Sequence, residues 1–238
     1  MGAPATSAPP SRPGALSAWG PLRTPVFRVL WIATVASNVG SWMHDTAATW
    51  LMTSLTTSTL LVALMQTASS LPVLALALPA GALADIVDRR RVLIAAQSWM
   101  LGAATLMGLL ALAGAMTPDR LLFFTFLLGL GNGLTAPAWQ ATLPELVRKD
   151  QLAAAVSLNG AAMNIARAVG PAIGGLLVAA IGPGGIFLLN AASFAAVIGA
   201  LVRWQNRPRE TVLPAERVAG AIAAGWRYLR HAPQVQAP

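Results

Sequence analysis

Two ionisable side chains interrupt otherwise apolar stretches of this 238-residue chain: Asp45, with His44 beside it, and Arg167. A charge held in hydrocarbon is costly, so such a residue is a functional hypothesis by default. Protonation of Asp45, with His44 tuning it, is the most economical ion-coupling chemistry these residues offer. Arg167 is a candidate partner for Asp45, facing a central cavity; the plainer reading is a structural pair, or an arginine whose long stem snorkels to the interface. Asn38, Gln66, Asn132, Gln140, Asn159 and Asn164 are the uncharged polar residues placed to line a cavity, although each serves more readily as glue between helices. Trp42 and Trp139 are candidates for an aromatic wall against a substrate, whereas Trp31, Trp50 and Trp99 read first as interfacial anchors. Enzyme chemistry has little to work with. The chain has no cysteine, only two histidines (His44 and His231), no metal-ligand set within its apolar stretches and no Gly-x-x-x-x-Gly-Lys phosphate loop. No catalytic residues, metal or cofactor are expected.

The elements that must position these residues follow from composition. Hydrophobic residues make up 56% of the chain, charged residues 10%, and the mean hydropathy is +0.63. Soluble domains carry about a quarter charged residues, and disordered chains are less apolar still, so the numbers describe an all-α integral membrane protein. Six apolar stretches, at about 27–51, 60–84, 92–115, 121–141, 152–181 and 186–202, are each read as a transmembrane helix. Pro72, Pro79 and Pro137 should kink their helices. Gly182-Pro183-Gly184-Gly185 reads as a turn with two helix breakers. Residues 1–26 read as a mobile cytoplasmic tail, and 205–238 as a cytoplasmic linker. Val218, Ile222, Trp226 and Leu229 recur there at helical spacing, suggesting an amphipathic helix over about 215–231 on the inner leaflet or against the bundle.

The net charge of +8 is no sign of nucleic acid, because the basic residues sit in short gaps between apolar runs instead of forming one stripe. Fourteen of the sixteen fall on one side of an alternating six-span topology, including Arg12, Arg23, Arg28, Arg89, Arg90, Arg91, Arg148 and Lys149. Arg120 alone falls on the other side. By the positive-inside rule both termini are cytoplasmic, and membrane lipid is a partner.

The end of the second stretch reads Gly81-Ala-Leu83-Ala84-Asp85-Ile-Val-Asp88-Arg89-Arg90-Arg91. It resembles the loop between helices 2 and 3 of the major facilitator superfamily, Gly-x-Leu-Ala-Asp-Arg-x-Gly-Arg-Lys. Ile86 departs from the usual Arg, and Asp88 from the usual Gly. Gly81 permits close helix approach, and Asp85 and Arg89, four residues apart, can pair. The resemblance makes Gly81, Asp85, Arg89 and Arg90 gate-loop residues, with Asp85 facing a helix N-terminus of the protein's other half. Gly170-Pro171-Ala-Ile-Gly174-Gly175 looks like the helix-5 motif of exporting members, and Ala166, Gly170 and Gly174 form a small-residue ladder. The fourth stretch has Gly129, Gly131 and Gly133, but not the arginine usual there. Gly40-Ser41-Trp42-Met43 and Gly225-Trp226-Arg227-Tyr228-Leu229-Arg230 further resemble the drug- and siderophore-exporting bacterial branch that includes enterobactin exporters.

The resemblance implies secondary active transport, with proton-coupled efflux of a small organic substrate across the bacterial inner membrane. The superfamily builds twelve helices in two halves that rock around a midplane site. The chain resembles only the first half and the central linker, so its expected partners are substrate, proton, and a missing second half or another copy of itself. The alternative is a truncated, non-transporting chain that acts only as a partner subunit.

Overall fold

The computed structural model describes residues 18–204, with the side chains of 78 and 82–86 excepted. Among them every regular element is helical: α1 (Pro25–Leu55), α2 (Thr59–Ile86), α3 (Arg89–Leu112), α4 (Pro118–Leu146) and α5 (Leu152–Arg203), with short 3₁₀ turns at Gly20–Arg23 and Lys149–Gln151. The linker 205–238, with the amphipathic helix expected there, lies outside the described residues, as does most of the expected tail. The part of the tail that is described departs from expectation. Gly20–Arg23 forms a turn with Gly20 and Pro21 buried, and α1 starts at Pro25, whose missing N–H is no loss at the first helical position.

Among the described residues, four segments are long and apolar enough to cross a membrane: Thr59–Ala77, Arg89–Leu112, Pro118–Leu146 and Lys149–Arg203. The last contains 55 residues. At 1.5 Å per residue it would run roughly 80 Å if straight, far beyond a hydrocarbon layer of about 30 Å. It turns at Gly182, whose φ of 69° and ψ of 172° are open to glycine and strained for any other residue. The expected four-residue turn therefore contracts to one residue. Pro183, Gly184 and Gly185 belong to the following helix, where a proline in the first turn costs no hydrogen bond. α1 is long enough to cross, at 31 residues, but is not among these four. It carries Ser37, Asn38, Ser41, His44, Asp45 and Thr46 within ten residues.

The helices pack α1 on α5, α2 on α4, and α3 on both α4 and α5. Glycines set the closest approaches. A Cβ on Gly129 would stand 2.7 Å from the Ser69 carbonyl oxygen, and one on Gly133 would stand 3.2 Å from Val73 Cα, so α4 lies directly on the backbone of α2. Gly131, between them in sequence, turns toward α3 and Met100. One apolar core gathers Met43, Met52, Met100, Met107, Leu121, Phe124, Phe187 and Phe194. A second, toward the other end, gathers Phe27, Leu30, Leu93, Trp139, Leu143, Leu158 and Leu201. Burial of these side chains contributes no net helix attraction in lipid, where tails are equally apolar; close packing of the backbones takes over that role.

Candidate functional site

A cavity of about 360 Å³ opens along the face shared by the helices, and every helix contributes to its wall. α1 supplies Asn38, Ser41, Trp42 and Asp45, which recur every three or four residues and so share one face. α2 gives Val73; α3 gives Leu93, Gln97 and Met100; α4 gives Asn132, Thr135, Trp139 and Gln140. The arm of α5 before Gly182 adds Asn159, Met163 and Arg167, and the arm after it adds Phe194 and Val197. The volume lies within the range of small-molecule sites, and about half of the lining residues are polar or charged.

Asp45 and Arg167 both reach this cavity, but no ion pair joins them among the described residues. The Arg167 guanidinium carbon lies 5.3 Å from the centroid of the Trp42 ring instead, a cation–π contact. No protein acceptor takes a hydrogen bond from Arg167 among the described residues. Trp139 is held in the wall by donating its indole N–H to Asn159 Oδ1 at 2.9 Å. That contact ties α4 to α5 through Asn159. Gln97 is 5% exposed, lines the cavity, and has a buried Oε1 without a hydrogen-bond partner.

At one end of the bundle, arginines tie the helix ends together. Asp88 caps α3 by accepting from the backbone N–H groups of Arg90 at 2.9 Å and Arg91 at 3.4 Å. Arg89 donates to the Ala141 carbonyl at 2.9 Å and pairs with Glu145 at 2.5 Å, joining the start of α3 to α4. Arg90 donates from Nε to Leu201 O at 2.7 Å and from Nη2 to Val202 O at 2.9 Å. It thus satisfies orphan carbonyls at the C-terminus of α5, where the helix dipole favours a cation. Arg148 pairs with Asp150 at 3.1 Å, an exposed contact that adds little to stability.

Comparison with known proteins agrees with the helical geometry. A family model described as transmembrane secretion effector matches residues 16–237. The chain belongs to the major facilitator superfamily. It is 30% identical over 219 residues to the multidrug efflux pump Tap of Mycobacterium tuberculosis (strain ATCC 25618 / H37Rv), covering 87% of this chain and 51% of that protein. It is 28% identical over 216 residues to the enterobactin exporter EntS of Shigella boydii, covering 89% of this chain and 50% of the exporter. A staphyloferrin A transporter of Staphylococcus aureus is 30% identical over 142 residues, 59% of this chain and 36% of that transporter. The chain spans about half the length of the curated relatives it matches. It is a multi-pass membrane protein, and these relatives are named as transporters.

Within this facilitator chain the helix-5 motif is the seam with α1. A Cβ on Gly170 would collide with Trp42 Cβ, and one on Gly174 would stand 2.9 Å from Met43 Cα. Gly175 has nothing within 4 Å, so the close approach belongs to Gly170 and Gly174 and not to the Gly174-Gly175 pair as a whole. Pro171, half-buried, continues the same helix. In the facilitator loop, the unusual Asp88 has a local reason, since it caps α3. Gly81 meets nothing within 4 Å, and the side chain of Asp85 lies outside the described residues.

The other candidates separate cleanly. Asn38, Asn132, Gln140 and Asn159 line the cavity, as do Trp42 and Trp139. Gln66 and Asn164 are exposed and do not line it. His44 does not line it either. It is 3% exposed, its ring lies 4.5 Å from that of Phe187, and its Nδ1 has no hydrogen-bond partner among the described residues. Gln97 was missed by sequence reading. The available signal was the polar residue itself, in the apolar stretch from Val92 to Met100, at a spacing that sets it one turn from Leu93 and Met100 on the same face.

Proposed function

We propose that this chain forms the amino-terminal half of a proton-coupled exporter of small organic molecules in a bacterial cytoplasmic membrane. The two arms of α5 count as separate crossings in this reading, giving six, and the arginine-rich ends of the helices face the cytoplasm with both termini. A second six-helix unit, supplied by further sequence or by another copy, completes the wall of the cavity. The two units rock about it to give alternating access. The observation that carries the proposal is the cavity itself: polar side chains from four helices converge on it, with Asp45 and Arg167 both at its surface. An ionisable carboxyl there can exchange a proton with whichever side is open, and the coupling needs no nucleotide or bound cofactor. The exporting direction is supported by the names of the similar pump and exporter.

The test uses the chain with whatever coding sequence follows it in frame, expressed in cells preloaded with a fluorescent efflux dye. Dye should leave faster than from control cells, and a protonophore should abolish the difference. Protonophore-insensitive efflux would overturn the coupling, and efflux no faster than in control cells would overturn the exporter reading. A cysteine-accessibility map, starting from the natural absence of cysteine, tests the topology. A cysteine placed at Thr57, in the α1–α2 turn, should react from outside intact cells, and one at Asp150 should not.

A further inference from the structure

We infer that the cavity is built for an amphoteric solute, one that carries an anionic group for Arg167 and a cationic or N–H group for Asp45. The inference rests on the reading of this cavity as the transported solute's site. It starts from charges that do not neutralise one another. Asp45 and Arg167 open on the same cavity of about 360 Å³ and form no ion pair. Two opposite charges that share one cavity attract one another, the more strongly as water is excluded, and these two are nevertheless not paired. Here the Arg167 guanidinium is set against the Trp42 ring at 5.3 Å. Trp42 and Asp45 are three residues apart on one face of α1, so the residue that holds Arg167 and the carboxylate share that face.

That contact leaves the donors of Arg167 without a protein acceptor among the described residues. A guanidinium with free N–H groups matches a carboxylate or another planar anion better than it matches a neutral group. Among the described residues the Asp45 carboxyl has no partner either; only its backbone carbonyl is used, by Thr49 Oγ1 at 2.9 Å. A third group points the same way. Gln97 is nine-tenths buried, lies on the wall, and has an Oε1 without a hydrogen-bond partner among the described residues, an arrangement that is costly unless a partner is supplied. A solute with hydrogen-bonding groups as well as both charges supplies what all three side chains lack. The indoles of Trp42 and Trp139 give its carbon skeleton a flat apolar surface.

A matched set of probes separates the two charges. It comprises 2-naphthylalanine, its methyl ester, which keeps only the amine, and its N-acetyl form, which keeps only the carboxylate. Binding to the purified full chain is measured by calorimetry at a pH where the amines are protonated and the carboxyls ionised. The zwitterion should bind about tenfold or more tightly than either single-charge form. Arg167→Gln should remove its advantage over the ester, and Asp45→Asn its advantage over the N-acetyl form. Arg167→Lys, which keeps the charge, should retain part of the first advantage, a result that mere loss of packing on Trp42 would not give. Equal binding of all three probes, a preference for the ester, or no binding of any of them overturns the inference. Protonophore-sensitive efflux of a purely cationic dye, together with any of those results, would leave the exporter reading standing and remove only the amphoteric specificity.

Discussion

The two faces of α1 are built by opposite means. Toward the arm of α5 before Gly182, contact is made by glycines: Gly170 and Gly174 bring that helix onto the backbone of residues 39–43. Toward the cavity, the same stretch presents Asn38, Ser41, Trp42 and Asp45, with Arg167 set against the Trp42 ring. The seam has no side chains to adjust and tolerates no added atom. The cavity face consists of side chains that can move, protonate or accept a ligand. The difference suggests a division of labour in which the seam fixes α1 rigidly so that its polar face is presented at a set angle. In lipid, where burying apolar surface offers no advantage to helix contact, close glycine packing is the stronger way to do this.

The largest effect should come from filling the seam. Gly174→Leu places a Cβ 2.9 Å from Met43 Cα and adds three further carbons where only backbone is present to give way. Overpacking of this kind typically costs about 1–3 kcal/mol, and more when backbone has to move. We expect the variant to lose most of its folded yield in detergent, measured by size-exclusion chromatography and thermal unfolding. A normal yield and midpoint would mean that the seam is not closed in the protein, and the contrast between the two faces would fail.

Next in size is the fastening at the helix ends. Arg89→Ala removes the donor to Ala141 O and the partner of Glu145, whose side chain is 21% exposed. Hydrogen bonds to charged groups contribute about 1.5–3 kcal/mol, so a loss of about 2 kcal/mol is expected, partly screened at this exposure. Glu145→Gln should cost less, because Arg89 keeps its carbonyl acceptor. The checking measurement is the thermal midpoint of both variants, and an equal loss in each would assign the whole effect to the ion pair.

Asp45→Asn probes the other face. It keeps the size of the side chain and lies in the cavity, so it should leave the stability read from thermal unfolding within about 0.5 kcal/mol of the parent. Protonophore-sensitive efflux should fall about tenfold or more, a difference of about 1.4 kcal/mol in the coupled step. A variant that unfolds, or one that remains fully coupled, would erase the distinction between a structural and a working face.

Much of this was legible in the sequence because it rests on helical spacing. Asn38, Trp42 and Asp45 lie at intervals of three and four, so one reaching the cavity brings the others with it. The same rule argues against His44, since neighbouring residues on a helix point about 100° apart. With Asp45 on the cavity, His44 turns into the core beside Phe187. The glycine ladder was legible for a similar reason: Gly170 and Gly174 stand one turn apart, whereas Gly175 falls off the stripe. What spacing could not supply was the relation between helices. Asp45 and Arg167 were expected to be candidates for a pair, and their meeting depends on the rotation of α5 against α1, which Trp42 and the glycines determine. Gln97 stands out as a polar residue in an apolar stretch, but its meaning depends on which face of α3 turns inward. The reduction of Gly182–Gly185 to a one-residue turn was also hidden, since glycine and proline announce a break without saying how many residues it takes.

The smallest effect is also the sharpest check on the seam. Gly175 is adjacent to Gly174 and has nothing within 4 Å, so Gly175→Ala adds a methyl group to open space on a helix of ordinary φ and ψ. Alanine exceeds glycine in helix propensity by up to about 1 kcal/mol, and Gly175→Ala should raise the thermal midpoint slightly or leave it unchanged. Gly174→Ala gains the same propensity but must place its methyl against Met43 Cα, and should lower it. Opposite signs from the same chemical change at adjacent positions cannot come from glycine's flexibility alone. They require that one face of α5 be closed against α1 and the next be open. Equal shifts in the two variants would show that the ladder acts through the backbone freedom of glycine and not through contact.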